Sequence, residues 1–179
     1  MEHNDFELVI GCMKAGKSKY LIDCFVGNET IEAYKPSTDT RNPHFITSRA
    51  YEGYEEMKIP CKQVSSLHDV YPVQPIVIVD EFQFFNAEEL KDFVKRCKEE
   101  HRRLVLAGLD LLADGTEWSS YTAVKPMADK ITKLRASCSI CCKPAEYSQK
   151  ITGEKGLQVE IEGEATYVPR CKEHYEFSI

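Results

Sequence analysis

The stretch Phe6-Glu7-Leu8-Val9-Ile10-Gly11-Cys12-Met13-Lys14-Ala15-Gly16-Lys17-Ser18 decides the fold. Its opening residues are an apolar-rich run of the kind a buried strand shows, stopped by glycine. After Ser18, the residues Leu21, Ile22 and Phe25 recur at helical spacing until Gly27-Asn28, whose chemistry ends a helix. Between strand and helix, residues 11 to 18 satisfy G-x-x-x-x-G-K-[ST], in the context this phosphate-binding loop requires. The glycines let backbone N–H groups cradle a phosphate, and the helix N-terminus adds partial positive charge. Lys17 then reaches the β and γ oxygens of a nucleotide, and Ser18 can ligate Mg²⁺.

Working outward, Thr30 to Lys35 predicts a second strand, and Pro36 to Pro43 is polar enough to be loop. A short strand is expected around Met57 to Ile59. Ile76-Val77-Ile78-Val79 is a continuous β-branched run suited to a strand covered on both faces, and it ends in Asp80-Glu81. Asn86 can cap the next helix and Glu89 can complete a capping box, with Leu90, Phe93, Val94 and Cys97 on one face. Leu104 to Leu109 reads as another buried strand. Apolar strands alternating with amphipathic helices predict an α/β fold, a mostly parallel sheet with helices on both faces.

Composition changes near Arg135. The expected division is a P-loop α/β domain over 1–135 and a small zinc-binding domain over 136–179. The latter holds hairpin-like turn chemistry at Thr152 to Gly156 and an alternating strand pattern over Leu157 to Ile161. No repeat is visible at the periods of solenoids or propellers.

Asp80 and Glu81 stand where a phosphate site needs carboxylates, the Asp near Mg²⁺ and its neighbour free to activate a nucleophile. A strand that ends there exposes both at the carboxyl edge of the sheet, where ligands bind. Asp39-Thr40-Arg41 lies in a loop that can fold over phosphates, although an Asp and an Arg in a polar loop are usually just solvated. Cys138-x-x-Cys141 and Cys171-x-x-His174 are separated by 29 residues and make a Cys₃His set, the closed pattern of structural zinc. Cys142 reads as a spare thiol, while Cys12, Cys24, Cys61 and Cys97 read as small apolar residues. His3, His44, His68 and His101 read as surface or capping residues. Phe82, Phe84, Phe85, Trp118 and Tyr167 can stack on a base or simply pack in a core.

Charge and length narrow the function. A formal net charge of −6 gives no global positive field for nucleic acid, and the segment 154 to 164 carries four glutamates against one lysine. No apolar run reaches the roughly 20 residues that span a bilayer. The start Met1-Glu2-His3-Asn4-Asp5 lacks signal-peptide order, so the expectation is a cytoplasmic protein with no membrane partner.

In chain order, the loop at 11–18, Asp-Thr-Arg at 39–41, Asp-Glu-Phe-Gln-Phe-Phe at 80–85, Ala-Gly-Leu-Asp at 107–110 and the terminal Cys/His pairs resemble the type II thymidine kinase family. The resemblance covers nearly the whole chain. It implies ATP and Mg²⁺ as cofactors, structural Zn²⁺, and thymidine or a related deoxynucleoside as phosphate acceptor. It also implies thymidine triphosphate as a feedback inhibitor and a homotetramer. By position, Gly11, Met13, Ala15, Gly16, Lys17, Ser18, Asp39 and Asp80 would serve the nucleotide and its metal. Glu81 would be the general base, with Lys17 and Arg41 beside it in the phosphate chemistry. Met13, Phe84, Leu109, Trp118 and Tyr167 would wall the base pocket. Val159, Ile161 and Gly163 would face the base from an extended lasso over about 142 to 170, and Cys138, Cys141, Cys171 and His174 would hold zinc.

The chain departs from the family pattern at Lys14, at Leu111-Leu112-Ala113, at Glu162 and at Phe82. The first three lie near the base, so a related kinase of altered base preference stays open. A P-loop ATPase or zinc-ribbon regulatory protein is the reading from another class.

Overall fold

The computed structural model describes residues 5–151 and 167–177. In chain order the elements are β1 (Phe6–Ile10), α1 (Lys17–Phe25), β2 (Ile31–Pro36), β3 (Phe45–Ile46), β4 (Ile59–Pro60), β5 (Lys62–Val64) and β6 (Ile76–Asp80). They continue with α2 (Ala87–Glu99), β7 (Arg103–Gly108), α3 (Ser119–Val124), β8 (Lys130–Lys133), β9 (Ala136–Ser137), β10 (Pro144–Ala145), β11 (Tyr147–Lys150) and β12 (Tyr167–Arg170). Six strands form one sheet in the order β5-β2-β6-β7-β1-β8, every pair parallel. The expected α/β architecture is the one found.

Alternate strand residues sort onto two cores, as the period-2 geometry of a strand demands. On one side Leu8, Ile10, Val77, Val79, Leu104 and Leu106 pack with Leu90, Phe93, Val94 and Cys97 of α2 and with Val124 of α3. On the other, Val9, Ala33, Ile78, Val105 and Ala107 pack with Leu21, Ile22 and Phe25 of α1. Of the scattered cysteines, Cys12, Cys61 and Cys97 are buried as expected, whereas Cys24 is exposed on α1.

Two local expectations are corrected. Asn86 does cap α2, accepting from the N–H groups of Glu88 and Glu89. The Glu89 carboxylate, however, does not close a capping box. It turns to the preceding loop and accepts from the backbone N–H groups of Leu67 and His68 and from Ser66 Oγ. Around Met57 to Ile59, the strand proves to be Ile59–Pro60, paired antiparallel with Phe45–Ile46 outside the main sheet. The segments Thr152 to Gly156 and Leu157 to Ile161 lie outside the described residues.

β5, α3 and β8 carry no apolar pattern that announces them. β8 reads Lys-Ile-Thr-Lys and forms the sheet edge beside β1, with Lys130 in register with Glu7. Glu7 is the second residue of β1, with 3% of its surface exposed. Its carboxylate accepts from Thr132 Oγ1 at 2.6 Å and Tyr20 Oη at 2.9 Å, and pairs with Lys130 Nζ at 2.9 Å. A buried anion thus recruits an edge strand too polar to be held by hydrophobic burial.

Burial pushes the Glu7 carboxyl up, but its bonds to Thr132, Lys130 and Tyr20 outweigh this and hold it below the ordinary value of 4.5. A depressed folded-state pKa stabilises the fold above the unfolded value, and that contribution is lost as pH falls through the folded one. Glu7→Gln is therefore expected to destabilise the protein by about 1–3 kcal/mol at pH 7. The gap between variant and wild type should narrow below pH 4.5 in denaturant titrations; a gap independent of pH would contradict this account.

Candidate active site

β1, β2, β6 and β7 deliver their carboxyl ends, and α1 its start, to one edge of the parallel sheet, and the candidate residues collect there. Gly11 follows β1 directly, and a Cβ at that position would come 2.4 Å from the Leu134 carbonyl oxygen, so only glycine fits the approach. Gly16 adopts a left-handed conformation with φ 88° at the N-cap of α1, and no side chain caps this helix start. Its first turn is left open toward an anion in front of it. Lys17 folds back over the loop, and its buried Nζ donates to the carbonyls of Gly11 at 3.0 Å and Cys12 at 2.8 Å. Burial pulls the Lys17 ammonium pKa down, while the nearby charge of Glu81 acts in the opposite direction. Ser18 is half-buried in the first turn, and Met13 and Ala15 are half-buried in the loop.

Opposite stands the end of β6. Asp80 is buried and accepts from the Glu81 N–H at 3.0 Å. Glu81 takes a left-handed backbone with φ 53° and opens the short 3₁₀ turn Phe82–Phe84. Desolvation and the adjacent Glu81 carboxylate push the Asp80 carboxyl up to about 7. A buried carboxyl crowded by a second one is the oxygen-ligand chemistry a hard divalent cation takes, so the residues here fit Mg²⁺.

The 39–41 loop is not a solvated excursion. Asp39 is buried, and its Oδ1 accepts from Arg41 Nε at 2.9 Å and from the Arg41 N–H at 3.1 Å. Arg41 Nη2 in turn lies 2.9 Å from Glu81 Oε1. The motif of β2 and the motif of β6 therefore meet through one guanidinium. Beneath them, buried Lys35 pairs with Asp39 Oδ2 at 3.4 Å and donates to the Arg41 carbonyl, while Gln63 Nε2 donates to the Asp39 carbonyl. Lys35 and Gln63 carry no sequence signal as site residues.

Of the aromatic candidates, Phe84 and Trp118 are in edge-to-face contact, with centroids 5.7 Å apart and planes at 74°. Leu109 follows β7, and its N–H donates to Gln83 Oε1 at 3.0 Å. Phe82 and Phe85 instead are core residues, Phe82 lying against Gly108. Tyr167 opens β12 opposite Lys150. Lys14 is exposed in a left-handed conformation with φ 64°. Val159, Ile161, Glu162 and Gly163 lie outside the described residues.

Cys138, Cys141, Cys171 and His174 come together as the spacing predicts, with all ligand atoms within 4.8 Å of one another. Cys141 Sγ to Cys171 Sγ is 3.7 Å, and His174 Nδ1 lies 3.3 Å from Cys171 Sγ and 3.9 Å from Cys138 Sγ. A tetrahedral zinc with bonds of about 2.3 Å to sulfur has sulfur–sulfur edges of about 3.8 Å, so the set fits that ion. Burial opposes ionisation of Cys138, yet backbone N–H groups of Cys171, Cys141 and Ile140 bring its thiol down to about 5. This cluster packs against the phosphate loop: Cys12 shares a small core with Cys138, Ala145 and Cys171. Cys12 Sγ faces the Ala145 carbonyl at 3.4 Å, and the Met13 N–H donates to Ser148 Oγ at 2.9 Å. Neither contact had a sequence signature.

The model of the thymidine kinase family matches residues 4–175. A thymidine kinase of Coprothermobacter proteolyticus is 29% identical to this chain over 180 residues, covering 95% of this chain and 89% of that protein.

The donor set predicts uptake of one tetrahedral divalent ion per chain. Titration of the metal-free protein with Co²⁺ should give the intense visible absorption of a tetrahedral thiolate site, saturating at about one equivalent. Cys138→Ser should weaken it sharply; an octahedral spectrum, or saturation unchanged by this substitution, would contradict the assignment.

Proposed function

The chain belongs to the thymidine kinase family, and on that premise we propose that it transfers the γ-phosphoryl group of ATP to the 5′-hydroxyl of thymidine or a related deoxynucleoside. The observation that carries this reading is the position of the Glu81 carboxylate, between Arg41 and the end of β6, across from the loop closed by Lys17. Glu81 takes the proton of the 5′-hydroxyl as the new bond forms between the 5′-oxygen and the γ-phosphorus. The bond from that phosphorus to the β–γ bridging oxygen breaks, and ADP leaves with its electron pair. Lys17 binds the β and γ oxygens, the α1 N-terminus and loop N–H groups hold the β-phosphate, and Arg41 neutralises charge on the transferred group. Mg²⁺, held through Ser18 with Asp80 nearby, would neutralise phosphate charge when bound. Positioning and charge neutralisation carry the catalysis.

Met13, Phe84, Leu109, Trp118 and Tyr167 would wall the base, with Val159, Ile161 and Gly163 contributed by the lasso. In this reading Asp39 orients Arg41, and Gly11, Ala15 and Gly16 shape the nucleotide cradle. The Cys₃His group takes a structural Zn²⁺ and defines a second domain over 136–179 beside the kinase domain over 1–135. Homotetramer formation, inhibition by thymidine triphosphate and a cytoplasmic location complete the reading; family membership supports them. Among the described residues no helix is long and apolar enough to cross a membrane.

Product analysis with ATP, the zinc-replete protein and a panel of deoxynucleosides tests the proposal. Thymidine 5′-monophosphate should form above the other products; ATP hydrolysis without a nucleoside product would replace the kinase by an ATPase. Glu81→Gln should lower turnover by about 10² to 10⁴ while leaving ATP binding in place. Lys17→Ala should weaken ATP binding itself, and unchanged affinity would remove the phosphate role from the loop.

A further inference from the structure

Gln83 is a polar side chain with only 2% of its surface exposed, in the middle of the turn that Glu81 opens. Its amide bridges two parts of the site. Oε1 accepts from the Leu109 N–H at 3.0 Å, and Nε2 donates to Glu81 Oε2 at 2.6 Å. This orientation is forced by chemistry. A backbone N–H can only donate, so the carbonyl end of the amide must face Leu109, which leaves the NH₂ end for the carboxylate. The other Glu81 oxygen, Oε1, is held by Arg41 Nη2 at 2.9 Å. The carboxylate is thus gripped from both sides, by a half-exposed guanidinium on a loop and by a buried amide on the core.

The amide is itself locked. Gly108, at the end of β7, leaves the space it occupies: a Cβ there would come 2.3 Å from Gln83 Oε1 and 2.8 Å from Phe82 Cδ1. Ser120 of α3 donates to the carbonyls of Gln83 at 3.2 Å and Phe85 at 2.6 Å, tying the turn to the helix. From β7 and α3 to the Glu81 carboxylate, directed hydrogen bonds run through the buried Gln83.

We infer that Gln83 is a positioning residue for the phosphoryl-transfer step, fixing the Glu81 carboxylate against the base-pocket residue Leu109. The inference rests on Glu81 being the general base. Arg41 must also meet phosphate charge, so its grip on Glu81 is shared with the substrate. Gln83 has no such second demand and keeps the carboxylate aimed when the guanidinium is drawn to the transferring group. A buried glutamine that merely satisfied the Leu109 N–H would need only its carbonyl.

The experiment is a double-mutant cycle read in kcat and KM for thymidine and ATP, with thermal unfolding midpoints alongside. Gln83→Met should lower kcat by about 10- to 100-fold with the KM for ATP nearly unchanged. In a Glu81→Ala background, the same substitution should change kcat by less than about 2-fold, because nothing is left to position. Equal fold-losses in both backgrounds, or a wild-type kcat in Gln83→Met, would overturn the inference while the base assignment stood. Near-native turnover in Glu81→Ala alone would overturn the base assignment, and this inference with it. Where Gln83→Met fails to fold, Gln83→Glu keeps an acceptor for the Leu109 N–H and removes the amide donor. It should lose kcat in the same way, and wild-type kcat in that folded variant would reduce Gln83 to a structural bond.

Discussion

The buried ammonium group of Lys17 is the constraint on which the site depends. A charge removed from water must find partners, and here it draws in the carbonyls of Gly11 and Cys12 from its own loop. Those two bonds curl the chain between β1 and α1 into a closed arc before any ligand arrives. With the Gly11 and Cys12 carbonyls turned inward toward Lys17 and the Met13 and Ala15 N–H groups bonded to Ser148 Oγ and the Cys12 carbonyl, the uncapped first turn of α1 is where an anion can be met. The same charge answers the acids at the ends of β6 and β7, since Glu81, Asp80 and Asp110 all act to keep it protonated against burial. Removing it would leave both the loop and the carboxylates without their common counter-ion.

Two of the five left-handed non-glycine residues, among those described, lie at the same place. Lys14 and Glu81 are non-glycine residues with left-handed backbones, at φ 64° and 53°, one on each side of the site. Each such conformation costs on the order of 1–3 kcal/mol and survives only where its surroundings over-determine it. For Glu81 those surroundings are visible: its N–H is bonded to Asp80, and its two oxygens are held by Arg41 and Gln83. A strand continued regularly through Asp80 would throw Glu81 to the opposite face of the sheet. The left-handed step instead turns the chain into the Phe82–Phe84 turn and keeps the carboxylate at the sheet edge.

How much was legible in the sequence follows from what each element is made of. β1, β6, β7, α1 and α2 are built from apolar residues at the period of their own geometry, and their burial drives them, so pattern and structure agree. β8 and β5 are held by charge pairing and edge hydrogen bonds, as with Lys130 to Glu7 and Lys62 to Glu32, and periodicity does not record these. The six-residue α3 is too short to show a face. At the site, the phosphate loop, the Asp80-Glu81 pair and the four metal-type ligands are contiguous motifs and could be read. Gln63, Gln83 and Ser148 act through partners 24 to 135 residues away in sequence, and Lys35 through a loop whose fold no local pattern announces. Glu89 shows the reverse error. A local motif was present, but the carboxylate found three donors in the 66–68 loop instead of one N–H at its own helix start.

The contacts between the phosphate loop and the Cys₃His group change how the chain's two ends should be regarded. A zinc module on a flexible tether would influence the site only by holding its lasso. Here Cys12 lies in one small core with Cys138, Ala145 and Cys171, and the Met13 N–H is bonded to Ser148 of β11. Lys133 extends the seam, pairing with buried Asp110 at 3.3 Å and with Glu146 at 3.4 Å. Met13 therefore has its backbone committed to the C-terminal module while its neighbours, Cys12 and Lys17, are bonded to one another. The curvature of the loop is set from within by Lys17, and its tilt against the sheet is set from outside by β10 and β11. Cys138 and Cys171, two of the four metal-type ligands, are walls of that same core. The Cys₃His group and the 11–18 loop are thus in contact through packed side chains and one backbone hydrogen bond.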